Sequence, residues 1–169
     1  RVSLDLTGTL PAPAEVQAFA ADPGRDKRAK KVEELLARPT YAARWATKLS
    51  EITGNSPKHF DGNGPPEEFA RQWYAWIERR VRENVPYDQL VAGIVLGRSR
   101  APGRSYRQYI EEQSAYYRNH EPLDFTARDT MPYYWAKHTL RTPEERALNF
   151  SYTFLGVRLD CAQCHKHPF

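Results

Sequence analysis

With 169 residues, 40% of them hydrophobic and 12% of the chain aromatic, this sequence has enough apolar material for one packed core, which excludes a disordered tail. Its net charge of +4 is spread over intermixed acids and bases, which argues against a nucleic-acid binder, because such affinity needs many converging cations. No stretch approaches the ~20 apolar residues of a membrane-spanning helix, and two cysteines are too few for a disulfide framework.

The opening "RVSLDLTGTLPAP" has neither an initiator Met nor the charged start, apolar stretch and cleavage site of a signal peptide. It reads as a trimmed end that says nothing about export. Helix is then expected from Pro13 to the "DPG" turn at 22–24. The basic run 25–31 leads into a second helix with Val32, Leu35 and Leu36 on one face, stopping before Pro39. A third follows with Thr40 as N-cap, Gly54 as stop and Tyr41, Trp45, Leu49 and Ile52 as its buried stripe. "NSPKHFDGNGPP" is a loop; its "FDGNG" begins like a calcium loop, but the twelfth position is Gln72 instead of an acid.

The longest helix is expected over 66–84, with Phe69, Trp73, Trp76, Ile77 and Val81 on one face. A short buried helix over 86–97, a basic loop and a tyrosine-rich helix from Ser105 come next. Residues 119–141 are mixed, broken by Pro122 and Pro132. Thr142, Pro143 and Glu145 then form a capping box for a last helix that runs through Leu148, Tyr152 and Leu155 to Gly156. Asn149-Phe150-Ser151 fits a glycosylation sequon but falls inside this helix. The expected fold is all-α: one irregular multi-helix domain, 1–169, with long Pro/Gly-rich loops and a motif segment at 157–169.

Both cysteines fall in "CAQCHKHPF", residues 161–169, with two of the five histidines. Cys161-Ala162-Gln163-Cys164-His165 matches the c-type haem attachment pattern. Cysteines at i and i+3 share one side of a helical turn, so both sulfurs can add to the two vinyl groups of one haem. His165 then offers its imidazole to the iron as proximal ligand. Haem c is the favoured reading, with electron transfer as its role.

Zinc is the sharpest rival, through Cys161, Cys164, His165 and His167 as a Cys₂His₂ set. Four ligands within seven residues would staple little, so a zinc site borrowing His59, His120 or His138 is easier to build. A thioredoxin-like dithiol lacks its βαβ setting. Two ordinary buried cysteines remain as the plain alternative. If haem binds, the candidates for sixth iron ligand are His138, Met131 and His120, and also His59; His167 is too near His165 to reach the opposite face. Met131 and Trp135 are better read as core. No phosphate loop, nucleophile elbow or pair of tuned carboxylates appears, so no catalytic constellation supports an enzyme.

Four blocks, "SLDLTGTLPAPAEVQAF", "KVEELLARPTYAARWATKL", "ENVPYDQLVAGIV" and "TFLGVRLDCAQCHKHPF", resemble in order those of a planctomycete domain family of unknown function. It is the domain that commonly follows a planctomycete-type cytochrome c domain in large exported proteins. The resemblance spans nearly the whole chain and is most specific in its final block. It implies a fragment of an exported, periplasmic or cell-surface multidomain protein whose partners are a neighbouring cytochrome or other domains of the same chain. On this resemblance Cys161, Cys164, His165, His167 and Pro168 occupy the family's motif positions.

Overall fold

Proline and glycine punctuate the chain into short helices. The computed structural model describes residues 1–60, 65–118 and 120–164. Among these there are eight α-helices and no strand, in the order α1 (Val2–Thr7), α2 (Pro13–Ala21), α3 (Lys27–Leu36), α4 (Pro39–Thr53), α5 (Pro66–Arg82), α6 (Tyr87–Val95), α7 (Tyr106–Ala115) and α8 (Pro143–Phe150). Short 3-10 turns at Pro57–His59, Phe125–Ala127, Pro132–Ala136 and Asp160–Gln163 connect or follow them. Helix α1 was not expected from the sequence. Its six residues are short for a helix in isolation, and packing on α3 and α4 holds it in place.

The centre is the pair α4–α5, the most extensive helix–helix contact. Here the expected stripe of α4 is corrected. The buried residues are Ala42, Ala46, Ser50 and Thr53, whereas Tyr41, Trp45 and Leu49 are half-buried and Ile52 is 55% exposed. The reason is volume. Helix α5 brings Trp73, Trp76 and Ile77, each fully buried, and a small-residue face on α4 lets the two backbones approach around them. Burying an apolar side chain the size of Ile77 contributes roughly 2–3 kcal/mol. Thr40 is not the N-cap of α4; Pro39 takes the first helical position with Arg38 as cap, since proline's missing N–H is unneeded there. Gly54 ends the helix in the left-handed conformation, φ 75°, as expected.

Around this pair the core is aromatic. Phe125 stacks on Tyr133 with ring centroids 5.0 Å apart, and Phe69 lies 4.9 Å from the same ring. Tyr133 Oη donates to Gln72 Oε1 at 2.6 Å, which accounts for a buried glutamine in the middle of α5. Met131 is fully buried in this cluster, and its sulfur accepts the Tyr133 N–H at 3.3 Å. Trp76 donates through Nε1 to Arg128 O at 2.9 Å while the Arg80 guanidinium stacks 3.4 Å over its ring. Burial pushes Arg80 down to about 10. The calcium-loop reading of 60–64 falls almost wholly outside the described residues.

Candidate functional site: a dithiol turn beyond the last helix

The last helix is started by its sequence. Thr142 Oγ1 accepts the Glu145 N–H at 3.1 Å, and Glu145 Oε2 accepts the N–H groups of Thr142 and Arg141 at 2.9 and 2.8 Å. Those backbone donors hold the Glu145 carboxyl below the usual carboxylate range. Pro143–Phe150 is regular α-helix; Ser151–Leu155 continues it as one widened π turn. Gly156 then reverses the chain with φ 65°, and the Val157 N–H closes back on Ser151 O at 3.1 Å. The expected stop at Gly156 is therefore met, but Tyr152 and Leu155 do not enter the core: they are 58% and 60% exposed.

Beyond Gly156 the chain lies on the surface until the 3-10 turn Asp160–Gln163. The Ala162 N–H bonds Leu159 O at 3.0 Å and the Cys164 N–H bonds Cys161 O at 3.4 Å. At three residues per turn, side chains at i and i+3 eclipse. Cys161 and Cys164 thus leave the same side of the turn, and both are free and exposed. Val157 and Leu159 precede them as exposed apolar side chains, with the Arg158 guanidinium 5.6 Å from the Tyr152 ring. Two accessible thiols on one side can add to an electrophile, chelate a soft metal or oxidise to each other.

The other candidates are placed as follows. A recess of about 380 Å³ is lined by Thr139, Leu140, Leu148, Tyr152 and Asp160 among others. Two of these, Thr139 and Asp160, are the chain neighbours of His138 and Cys161. His138 is half-buried; its backbone N–H donates to His59 O at 2.9 Å and the two imidazoles meet edge-on, 6.1 Å apart. His59 Nδ1 lies 2.8 Å from Gly54 O. His120 is exposed in the loop after α7 and does not line this recess. Met131 is sealed in the core, so its sulfur is not presented to the motif. His165 and His167 lie outside the described residues. Among the described residues no three His, Cys, Asp or Glu side chains converge on a metal-sized site, so Cys161 and Cys164 do not gather a zinc set with His59, His120 or His138.

Sequence reasoning missed the residue that anchors α8. Lys137 is 4% exposed, donates from Nζ to Thr53 O at 2.9 Å, and makes no ion pair among the described residues. Burial pushes its amine down to about 8. Asn149, noticed in the sequence only as a sequon, meets both Lys137 Nζ and Tyr134 Oη through its amide oxygen. The one sequence signal for Lys137 is its place in the aromatic run "MPYYWAKH".

These features define an all-α domain that presents an accessible dithiol turn just past its last helix. The chain belongs to the PSCyt2 family, described as a protein of unknown function (DUF1549), whose profile matches residues 1–169. No curated protein and no solved structure matches it.

Proposed function

We propose that this is an exported domain that carries one c-type haem on Cys161 and Cys164 and serves electron transfer within a larger multidomain protein. One observation carries the reading: two free, exposed thiols stand three residues apart on a 3-10 turn and its cap, with His165 next in sequence. That is the presentation two thioether bonds to neighbouring vinyl groups require, and buried structural cysteines have no need of it. When bound, the haem supplies a one-electron couple.

The chain's own residues then have distinct tasks. Cys161 and Cys164 hold the group covalently, and His165 offers the proximal imidazole. Leu155, Val157 and Leu159 are apolar side chains already at the surface beside the turn, suited to keeping water from one porphyrin edge. His138 is the candidate distal ligand we favour, because its neighbour Thr139 and the motif's Asp160 line one recess. His120 lies away from that recess, and Met131 would first have to leave the core. Export follows from the chemistry proposed, since such thioethers are made outside the cytoplasm, and a neighbouring cytochrome module is the natural electron partner.

The rival is a zinc-binding or purely structural module built on Cys161, Cys164, His165 and His167. Expression in a host with haem-maturation machinery separates the two. Pigment that stays with the denatured, reduced polypeptide and shows the sharp bands of a c-type adduct is the expected result. A colourless protein holding stoichiometric zinc overturns the haem reading.

A further inference from the structure

Helix α2 is attached in an unusual way. Its sequence, PAEVQAFAA, is apolar apart from Glu15 and Gln17, yet it buries none of its nine residues. What holds it is polar and lies at its two ends. Toward the N-terminal end, Glu15 pairs with Lys31 of α3 at 3.0 Å and with Arg38. Toward the C-terminal end, Lys27 Nζ donates to Phe19 O at 3.1 Å and to Asp22 O at 2.8 Å. Between these pins the helix does not close on its neighbours. A hollow of about 410 Å³ remains, walled by Val2 of α1, Pro11 before α2, Val16 and Phe19 of α2, and Val32 of α3. Val2 and Val16 are still 41% and 52% exposed.

Apolar surface held open by polar struts stays wet at a cost of roughly 25 cal/mol per Å², so an apolar occupant gains by covering it. The charges around the hollow state the occupant's polarity. Those lining it are Arg1, Arg28 and Lys31 against Glu15, three positive and one negative, a net of +2. Glu15 is already committed to Lys31 and Arg38, and Arg1 leans on Asp5 at 3.5 Å. Arg28, among the described residues, has no carboxylate partner. The volume falls within the ~300–1,000 Å³ of small-molecule sites, and apolar walls with a few polar groups are their usual make-up.

We propose that the α1–α2–α3 hollow binds an anionic amphiphile: a medium-length hydrocarbon chain that lies between Val2, Val16, Phe19 and Val32, with a carboxylate head on Arg28. This site is separate from the dithiol turn and independent of what the thiols hold. The head group's partner is a guanidinium, which receives a carboxylate through two parallel N–H donors. The tail's contribution grows by about 0.8 kcal/mol for each methylene buried.

The test is calorimetric titration of the protein with sodium decanoate below its micelle concentration, beside decyltrimethylammonium, which has the same tail and the opposite charge. Decanoate is expected to bind saturably at one site, with the ammonium weaker by about tenfold or more. Arg28→Gln should weaken decanoate by roughly threefold to tenfold, the loss of one charge-assisted contact. Val16→Glu, at a position that is 52% exposed, should abolish binding with the thermal unfolding midpoint unchanged. Equal affinity for the two amphiphiles, no saturable heat with decanoate, or binding that survives Val16→Glu overturns the proposal. Sedimentation in the same buffers covers the remaining occupant: self-association that Val16→Glu dissolves would assign the hollow to a second copy of the chain, and the amphiphile site would be wrong.

Discussion

Lys137 Nζ lies 4.1 Å from the centroid of the Tyr134 ring, and both side chains reach one oxygen, Asn149 Oδ1, at 3.4 and 2.6 Å. That oxygen belongs to α8, whereas Lys137 and Tyr134 belong to the segment packed on α5. The same amine also takes the Thr53 carbonyl at the end of α4. One buried cation therefore ties the helix that leads to the dithiol turn to the centre of the fold, with no carboxylate paired to it among the described residues. Attaching a glycan at Asn149 would break this clasp, so the sequon is structural in effect.

The clasp makes stability rise with pH over a defined window. Burial brings the Lys137 amine down to about 8, against roughly 10.4 for an unfolded lysine. Between these values the unfolded chain binds more protons than the folded one, so unfolding free energy increases as pH rises. Above pH 10 the buried Tyr133 and Tyr134 hydroxyls, both pushed up by burial, oppose the trend. Urea midpoints at pH 7.5 and 9.5 should increase by the equivalent of about 1–2 kcal/mol in the wild type. In Lys137→Met the increase should vanish. A wild-type midpoint that is flat or falls means the amine keeps its ordinary basicity through Thr53 and Asn149.

Glu15 sets an acid limit on α2. Its carboxyl is held down to about 2, first by the Arg38 guanidinium, then by the Ala12 N–H and by Lys31. The folded value lies below the unfolded one of roughly 4.3, so the contribution is complete above that value and is lost as pH falls through about 2. Hydrogen exchange across 13–21 reports it directly. The wild-type helix should keep its protection at pH 4, and Glu15→Gln should exchange faster already at pH 7. Because the pair is near the surface, 1 M salt should narrow the difference.

Local signals made most of the helices legible, and volume accounts for the errors. Gly54, Gly156 and the Thr142–Glu145 box end or begin helices where the sequence places them, because each acts through its own backbone. The buried face of α4 was misread because hydrophobicity favours Trp45 and Ile52 over Ala42 and Ala46, while packing against Trp73 and Trp76 favours the small residues. The thiol spacing of the dithiol turn could be read directly, but not the exposure of Cys161 and Cys164. Lys137 left only its place in an aromatic run, because a sequence does not distinguish a lysine held by a backbone carbonyl and an asparagine from a solvated one.

Helix α6 and the turn that follows it approach the core with no room for a methyl group. A Cβ on Gly93 would lie 2.7 Å from the Trp76 ring and 3.1 Å from Asp129 O, and one on Gly97 would lie 2.5 Å from Met131 O. The Gly93 carbonyl also accepts the Met131 N–H at 2.9 Å, so the backbone on each side is fixed. Gly93→Ala and Gly97→Ala should each destabilise the fold by about 1–3 kcal/mol, the range for overpacking. Any gain in helix propensity from alanine, roughly 1 kcal/mol at best, offsets only part of that. Paired denaturation curves check it, and an unchanged midpoint for Gly97→Ala would mean that α6 can move away from Met131 at little cost.

The thiols of the dithiol turn give the most direct reading of the site. In protein made without haem-maturation machinery and kept reduced, Cys161 and Cys164 are exposed and unpaired, so both should react with a thiol reagent in the native state as fast as they do in urea. In pigmented protein neither should react, before or after denaturation, because each sulfur is then a thioether. The single variants Cys161→Ser and Cys164→Ser should each keep pigment through one remaining bond, with one thiol fewer to titrate in the unpigmented form. Pigmented protein whose two thiols still react would show that the colour is held without covalent attachment, and the turn would then have to be read as a dithiol in its own right.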